Sequence, residues 1–331
     1  MRIPKYPNMK LRPYLLFIFL FNFAVVKNAF SQENAQFSLF PFQQLYWNPA
    51  TAAADGKTRV QIHNRWQWSG YQATLDNGGG PTSFVASAQV PLNFIKSAVG
   101  VHYVSNRLGA SGNQEVQFSF ARRFRIRENT LAIGARVGLY NRFIDYNLLR
   151  ARDANDPLIG SGRVGQSQPD FAVGAYYDAT NYFVGISVNH LNSAQFSLGT
   201  IATNPLKSNL YINAGYRWEP AYGWEIQPMV LFKGSLDFNL TPASVEGGVL
   251  VTYDEHFFGG VTYRSQDAVI GLFGINLLPS RALRLAGSYD LVTGFKDAKS
   301  PVSYEVLLSY AMPAITLGGR KKIVRTPRFR H

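Results

Sequence analysis

The side chains with the greatest capacity for chemistry in this 331-residue sequence are five histidines, and their spacing does not form a metal-binding pattern. They are His63, His102, His190, His256 and His331. Zinc-binding helices place two histidines close together, as in HExxH, and each of these five is isolated. We therefore expect ordinary histidines and no metal site. The chain also has no cysteine, so disulfides, thiolate metal sites and cysteine nucleophiles are excluded.

Serine chemistry has little support in the sequence. The GxSxG turn that exposes the nucleophile of many hydrolases does not occur. A membrane phospholipase could still combine Ser119 or Ser187 with His102 or His190 from neighbouring strands, but no spacing singles out such a pair. We therefore predict that the protein is not an enzyme.

Two stretches resemble ligand-binding loops. Residues 160–165 (GSGRVG) match GxGxxG, but a dinucleotide site needs a preceding strand and a following helix, and a polar QSQP run follows instead. Asp153, Asp156 and Asp170 could bind calcium through loop oxygens, although the glycine and terminal glutamate of an EF-hand loop are missing. We predict a surface loop in both cases, and neither a cofactor nor a metal.

The charge of the chain is concentrated at its two ends. The net charge is +13, yet only 16% of the residues are charged, against about 25% in an ordinary soluble domain. Five Lys/Arg lie in the first 31 residues and six in the last 12, without any acid, which leaves +2 for the body. The body therefore has no basic face for a phosphate backbone, and we do not expect nucleic-acid binding.

Residues 1–31 have the organisation of a secretory signal peptide. A basic segment precedes 13 mostly apolar residues (14–26), and the small residues Ala29 and Ser31 precede Gln32. A transmembrane helix needs about 20 apolar residues, so the pattern predicts cleavage near Ser31-Gln32 and export. An uncleaved inner-membrane anchor is the alternative.

The elements that follow are predicted to be β-strands that face two different solvents. In residues 131–139, 283–291 and 302–310, apolar side chains alternate with Gly, Ala, Ser and isolated charges. About fourteen such runs occur between residues 59 and 312. Most have nearly the 9–11 residues that a tilted strand needs to cross a bilayer.

The connections between these runs indicate which architecture the strands form. They alternate between short turns and longer loops, with a short exception at residues 265–267, as in outer-membrane barrels. We predict an all-β fold in which residues 59–312 form a single closed antiparallel transmembrane β-barrel of about 14 strands. Its short turns are expected to be periplasmic and its long loops extracellular. A soluble periplasmic β-sandwich is the alternative.

The segments on either side of the barrel are predicted to have different roles. Residues 32–58 precede the first strand and are expected to form a plug or periplasmic segment. The plug residues would be Phe37, Phe40, Phe42, Asn48 and Pro49. Residues 313–331 are expected to be a basic periplasmic tail that binds an acidic partner, anionic lipid or peptidoglycan through Arg320, Lys321, Lys322 and Arg325.

Several motifs, taken in order, resemble the PorP/SprF family. The segments QFS (36–38) and LYWNPATA (45–52) are similar to the opening of that family, and RWQWSGY (65–71) follows. The run NTLAIGARVGLY (129–140) resembles a central strand, and YEVLL (304–308) resembles the last one. The resemblance covers nearly all of the predicted mature chain. Ala53, in place of a glycine, and the basic tail are the departures.

This resemblance implies an outer-membrane protein of the type IX secretion system of Bacteroidota, which serves protein export and gliding motility. Its implied partners are outer-membrane lipid, the C-terminal domain of a secreted substrate or adhesin attached at the cell surface, and periplasmic secretion components, with peptidoglycan as a further candidate. Trp66, Trp68 and Tyr71 are predicted to anchor the secreted partner, because aromatic residues are common in binding hot spots. The alternatives are an interfacial girdle for these aromatics and a passive or substrate-selective pore for the barrel.

Overall fold

The structure, a computed structural model, describes residues 35–71, 79–150, 160–198, 201–202, 205–236, 243–294 and 302–312. The predicted signal peptide and the predicted basic tail lie outside these ranges. No helix within them has the length and hydropathy needed to span a bilayer.

The described residues are mostly strands, preceded by a short helical segment. The segment contains α1 (Gln44–Trp47) between two 3₁₀ turns, Phe40–Phe42 and Pro49–Thr51; further 3₁₀ turns are Asn93–Ile95 and Tyr146–Leu148. The strands are β1 (Thr58–Trp66), β2 (Thr82–Leu92), β3 (Ser97–Leu108), β4 (Ser111–Ile126), β5 (Asn129–Asp145), β6 (Arg163–Asp178), β7 (Tyr182–Asn189), β8 (Ser197–Leu198), β9 (Ile201–Ala202), β10 (Asn209–Tyr216), β11 (Trp218–Ala221), β12 (Trp224–Ser235), β13 (Ser244–Tyr253), β14 (Phe257–Arg264), β15 (Ala268–Leu277), β16 (Leu283–Val292) and β17 (Val302–Met312).

Fourteen of the described strands form one closed antiparallel barrel, which confirms the predicted fold. β1 to β7 pair in chain order, β7 pairs with β10, β10 with β12, and β12 to β17 again pair in order. The first and last strands close the ring, from Thr58 opposite Met312 to Trp66 opposite Tyr304. Because the ring is closed, no strand edge is left for lipid to solvate. β11 continues β10 beyond the ring against β12, and β8 pairs only with β9.

The two ends of the barrel differ. At one end, the short-turn end, the connections have only a few residues, such as 127–128 and 179–181. At the other, the long-loop end, they are mostly longer, although residues 109–110 and 265–267 are short exceptions. β4, β5 and β6 have 16, 17 and 16 residues, against 9 for β1 and 8 for β7. All five strands have one end at the short-turn end of the barrel. The additional residues of β4, β5 and β6 therefore extend the wall at the long-loop end.

The outer face of the barrel is apolar, and the inner face carries small and polar groups. Phe118, Val137 and Leu285 point outward, with 59%, 52% and 44% of their surface exposed. Trp224 and Tyr253 pack together on the outer face near the short-turn end, with ring centroids 4.7 Å apart. This pattern is that of a barrel wall in contact with lipid.

Candidate functional site

The lumen of the barrel contains a compact stretch of the chain itself, residues 35–54, which we call the luminal segment. Most of its apolar side chains are almost completely buried: Phe37 is 1% exposed, Leu39 0% and Trp47 4%. Prolines begin its 3₁₀ turns at or next to the first position, where the missing N–H is not needed. Asn48 caps the second turn by accepting a hydrogen bond from the Ala50 N–H at 2.9 Å.

The first contact between the luminal segment and the barrel wall lies near the long-loop end. The Ser38 and Leu39 N–H groups donate to the two carboxylate oxygens of Glu305, at 2.6 and 2.9 Å. The Ser38 hydroxyl donates to Asp290 at 2.7 Å. A carboxylate that accepts from two consecutive N–H groups holds the backbone as well as the side chain, so the segment is fixed here in position and direction.

Two buried arginines balance these carboxylates. Arg65 lies 2.9 Å from Asp290 and also contacts Glu305, while Arg264 lies 2.8 Å from Glu246. Both guanidinium groups also donate to the Ser38 hydroxyl, at 2.8 and 2.9 Å. Buried charges are tolerated only when they are paired and hydrogen-bonded, and here the pairing includes the luminal segment. We call Ser38, Arg65, Arg264, Asp290 and Glu305 together the polar latch.

Helix α1 is held by its carbonyl groups. The last four carbonyls of a helix have no partner within the helix, and α1 is only four residues long. Arg136 on β5 donates to the carbonyl of Tyr46 at 3.0 Å and also contacts that of Leu45. Ser187 on β7 donates to the Trp47 carbonyl at 2.8 Å. Side chains of the barrel wall thus supply the partners that the helix lacks.

The wall is recessed where residues 48–50 approach it. Gly134, Gly174 and Gly185 face this stretch, and we call them the glycine recess. A Cβ on Gly134 would lie 2.4 Å from the Ala50 nitrogen, and one on Gly174 would lie 2.1 Å from Asn48 Oδ1. These distances are far below van der Waals contact, so only glycine allows the segment to pack so closely.

The predicted plug residues all belong to the luminal segment; they are Phe37, Phe40, Phe42, Asn48 and Pro49. Phe37 packs edge-on against Tyr46, with ring centroids 5.4 Å apart, and Phe42 contacts Phe258 on β14 at 5.1 Å. Asn48 Nδ2 donates to the Ala175 carbonyl of β6 at 2.9 Å. The sequence pattern did not single out Arg65 and Arg264, which bind Ser38 of the luminal segment, although both lie on inward-facing strand positions.

The three predicted surface anchors do not lie together. Trp66 is on the outer face, stacked on Tyr304 with centroids 5.0 Å apart, as expected of a girdle residue. Trp68 and Tyr71 pack against each other at 6.0 Å in the loop that follows β1. The predicted tail residues Arg320, Lys321, Lys322 and Arg325 lie outside the described residues.

The prediction that residues 160–165 form a surface loop is partly wrong. β6 begins at Arg163, opposite Asp145, so half of the GxGxxG match lies in a strand that extends beyond the short strands. Asp170 is also within β6, where it is 1% exposed and accepts a hydrogen bond from Gln117 at 2.7 Å. Asp170 therefore lies in a strand rather than in a loop, and Asp153 and Asp156 lie outside the described residues.

Four of the other reactive side chains have structural partners, whereas neither ring nitrogen of the buried His102 has a hydrogen-bond partner among the described residues. His63 lies 2.9 Å from Glu305, and His190 lies 3.0 Å from Asp170. The Ser119 hydroxyl accepts a hydrogen bond from Arg136, and that of Ser187 is bound to the luminal segment. In the part of the chain that the structure describes, no three His, Cys, Asp or Glu side chains are grouped as metal ligands.

A closed barrel with an apolar outer wall, filled by residues that precede its first strand, defines an integral β-barrel membrane protein. Residues 29–310 match the model of the family described as type IX secretion system membrane protein PorP/SprF. The chain belongs to this family, and the family together with the barrel fold assigns it to the outer membrane.

Solved structures of outer-membrane barrels resemble the chain at low sequence identity. The Pseudomonas putida toluene transporter TodX is 12% identical, with a TM-score of 0.48, over 81% of this chain and 92% of TodX. A Pseudomonas aeruginosa FadL homologue is also 12% identical, with a TM-score of 0.44, over 80% and 92%. The Acinetobacter baumannii protein Omp33 is 8% identical, with a TM-score of 0.43, over 78% and 99%. None of the curated proteins compared with the chain matches it.

Proposed function

We propose that this barrel is a non-enzymatic docking component of the type IX secretion system. It would hold a secreted substrate or adhesin at the cell surface and contact periplasmic components of the machinery. The observation that supports this role is the luminal segment, which occupies the lumen and is bound to the inner wall at the polar latch, at α1 and at the glycine recess. A barrel filled in this way acts through its two ends rather than through its pore.

Liposome swelling separates docking from transport. The full chain and a variant without residues 37–52 are reconstituted at equal density and placed in a sugar gradient. We expect little swelling with the full chain and rapid swelling with the deletion variant, because fourteen strands enclose a sizeable lumen. Rapid swelling with the full chain would instead favour the passive or substrate-selective pore.

The surface partner is proposed to bind at the long-loop end, where β4 to β6 extend the wall. Trp68 and Tyr71 pack together in this region, and Trp66 lies at its membrane boundary. Aromatic side chains of this kind dominate binding energy in many interfaces. Co-purification from detergent-solubilised outer membranes, followed by identification of the bound protein, tests this proposal directly. Recovery of the barrel without a secreted protein would contradict it.

The periplasmic contacts are assigned to the other end. In this proposal residues 1–31 are removed as a signal peptide, 32–58 include the plug, 59–312 form the barrel and 313–331 form a basic tether. The tether would bind an acidic subunit or peptidoglycan. Each basic residue near an anionic surface contributes about 1 kcal/mol, so six could hold the barrel reversibly.

A further inference from the structure

A cavity of about 190 Å³ lies at the short-turn end, between the luminal segment and the inner wall of β12 to β16. With about 30 Å³ per water molecule, it has room for about six waters or for one side chain of moderate size. Phe42 and Phe258 form its apolar side. Arg217, Glu225, Asn276 and Arg284 are among its polar lining.

Arg284 is a cation of this cavity lining that is free to bind an anion. Its guanidinium lies over the rings of Phe42 and Phe258, at 4.6 and 5.5 Å from their centroids. Its Nε donates to Asn276 Oδ1 at 2.8 Å. Among the described residues, this is the one hydrogen bond that Arg284 forms. No carboxylate among the described residues forms an ion pair with it, in contrast to Arg65 and Arg264. The Nη groups therefore remain able to bind an anion.

Arg217 and Glu225 also line the cavity, on the part of the wall that does not include Arg284. Arg217 is already paired with Asp178 at 2.7 Å, so its charge is largely balanced. Glu225 gives the same side a negative group. An anion that enters the cavity is therefore drawn to Arg284 and repelled from the Glu225 side.

We propose that this cavity binds a carboxylate side chain of a protein that approaches from the periplasm. A guanidinium can bind both oxygens of a carboxylate, and the aromatic rings would cover the aliphatic part of an inserted Asp or Glu. The inference deepens the proposed contact with periplasmic components and rests on it for the side from which the ligand arrives. The ligand class is an acidic peptide segment.

Fluorescence anisotropy with the detergent-purified full chain tests the site. The probes are a labelled hexaglutamate peptide and a hexaglutamine peptide of the same length. We expect hexaglutamate to bind at least tenfold more tightly than hexaglutamine. R284Q should weaken hexaglutamate binding at least tenfold, which corresponds to about 1.4 kcal/mol. E225Q should not weaken it, because that variant removes a repulsive charge.

The matched control is R281Q, which lowers the net charge equally at the same end of the barrel. Arg281 is paired with Asp254 at 3.1 Å and does not line the cavity. Equal losses in R281Q and R284Q would show only a general attraction to a basic protein and would overturn the proposal. R284K, which keeps the charge but not the bidentate geometry, should fall between R284Q and the natural chain. Heat-modifiable migration on a gel establishes that each variant is folded.

Sodium acetate distinguishes a peptide site from a site for small anions. At matched carboxylate concentration, acetate should not displace hexaglutamate; full displacement would overturn a peptide partner. The outcome is independent of the proposed docking role, because liposome swelling and substrate retention do not depend on this peptide. Failure of peptide binding with a sealed lumen would reject the cavity site alone.

Discussion

Substitution of Gly134 by alanine should loosen the luminal segment while the barrel stays intact. The new Cβ would lie 2.4 Å from the Ala50 nitrogen and 2.6 Å from the Pro49 carbonyl carbon. Ordinary van der Waals contact begins at about 3.4 Å, so the segment or the wall must move by about 1 Å. These neighbours are backbone atoms and cannot turn aside as a side chain would. Overpacking of this kind costs about 1–3 kcal/mol.

If the segment moves rather than the wall, this energy appears as a higher population of the displaced state. A change of about 1–3 kcal/mol corresponds to roughly a 5- to 150-fold change in an equilibrium. Planar-bilayer recording should then detect brief openings of Gly134→Ala at a correspondingly higher frequency than in the natural chain. Heat-modifiable migration should stay unchanged, because the strand pairing of β5 is not altered.

Gly271→Ala is the matched control for this substitution. Gly271 lies on the outer face of β15, and a Cβ there would meet its nearest atom, the Tyr289 oxygen, at 4.0 Å. We expect the control to record like the natural chain. The close packing at the glycine recess would be refuted if the two variants gave the same opening frequency and the same thermal midpoint.

Three further predictions concern the ends of the barrel and the helix in its lumen. Arg136→Gln removes the charged donor to the α1 carbonyls, and hydrogen bonds to charged groups contribute about 1.5–3 kcal/mol. The substitution should therefore raise the opening frequency in planar-bilayer recordings. An unchanged opening frequency would contradict the role of Arg136. Replacement of Trp66, Trp68 and Tyr71 by alanine should release the surface substrate from whole cells without loss of barrel, with the Trp66 single variant as the control for a girdle role; unchanged retention would reject the anchors. Deletion of residues 318–331 should leave insertion intact and make co-purification of periplasmic components weaker, whereas complete and salt-insensitive co-purification would exclude the tether.

The barrel itself could be predicted because its physical cause is local. Apolar residues alternate with small or polar residues within single strands such as residues 131–139, and contact with lipid on one side of the strand requires this alternation. The boundaries of the strands were harder to predict from the sequence. β6 begins at Arg163 because its partner β5 continues to Asp145, and this pairing is not visible in the glycine-rich sequence of residues 160–165.

The contacts within the lumen could not be predicted, because they join distant parts of the chain. Arg65 and Glu305 lie opposite each other only after the ring has closed, and the sequence does not say that Ser38 will reach both. The role of Gly134 was hidden for another reason. Glycine and alanine suit the inner face of any barrel, and only the position of Ala50 shows why alanine would be too large.

The polar latch has a consequence for how the protein assembles. Ser38 is separated by 252 residues from Asp290 and by 267 from Glu305, and these acceptors lie in β16 and β17. Contacts over such separations form late, since the intervening chain must be ordered first. A chain that has inserted all but its last hairpin still has Arg65 and Arg264 but lacks both carboxylates that fix Ser38 and Leu39. We expect such an unfinished barrel to leak, so the barrel becomes impermeable only when its final two strands have inserted. The permeability of the membrane would then show whether assembly is complete.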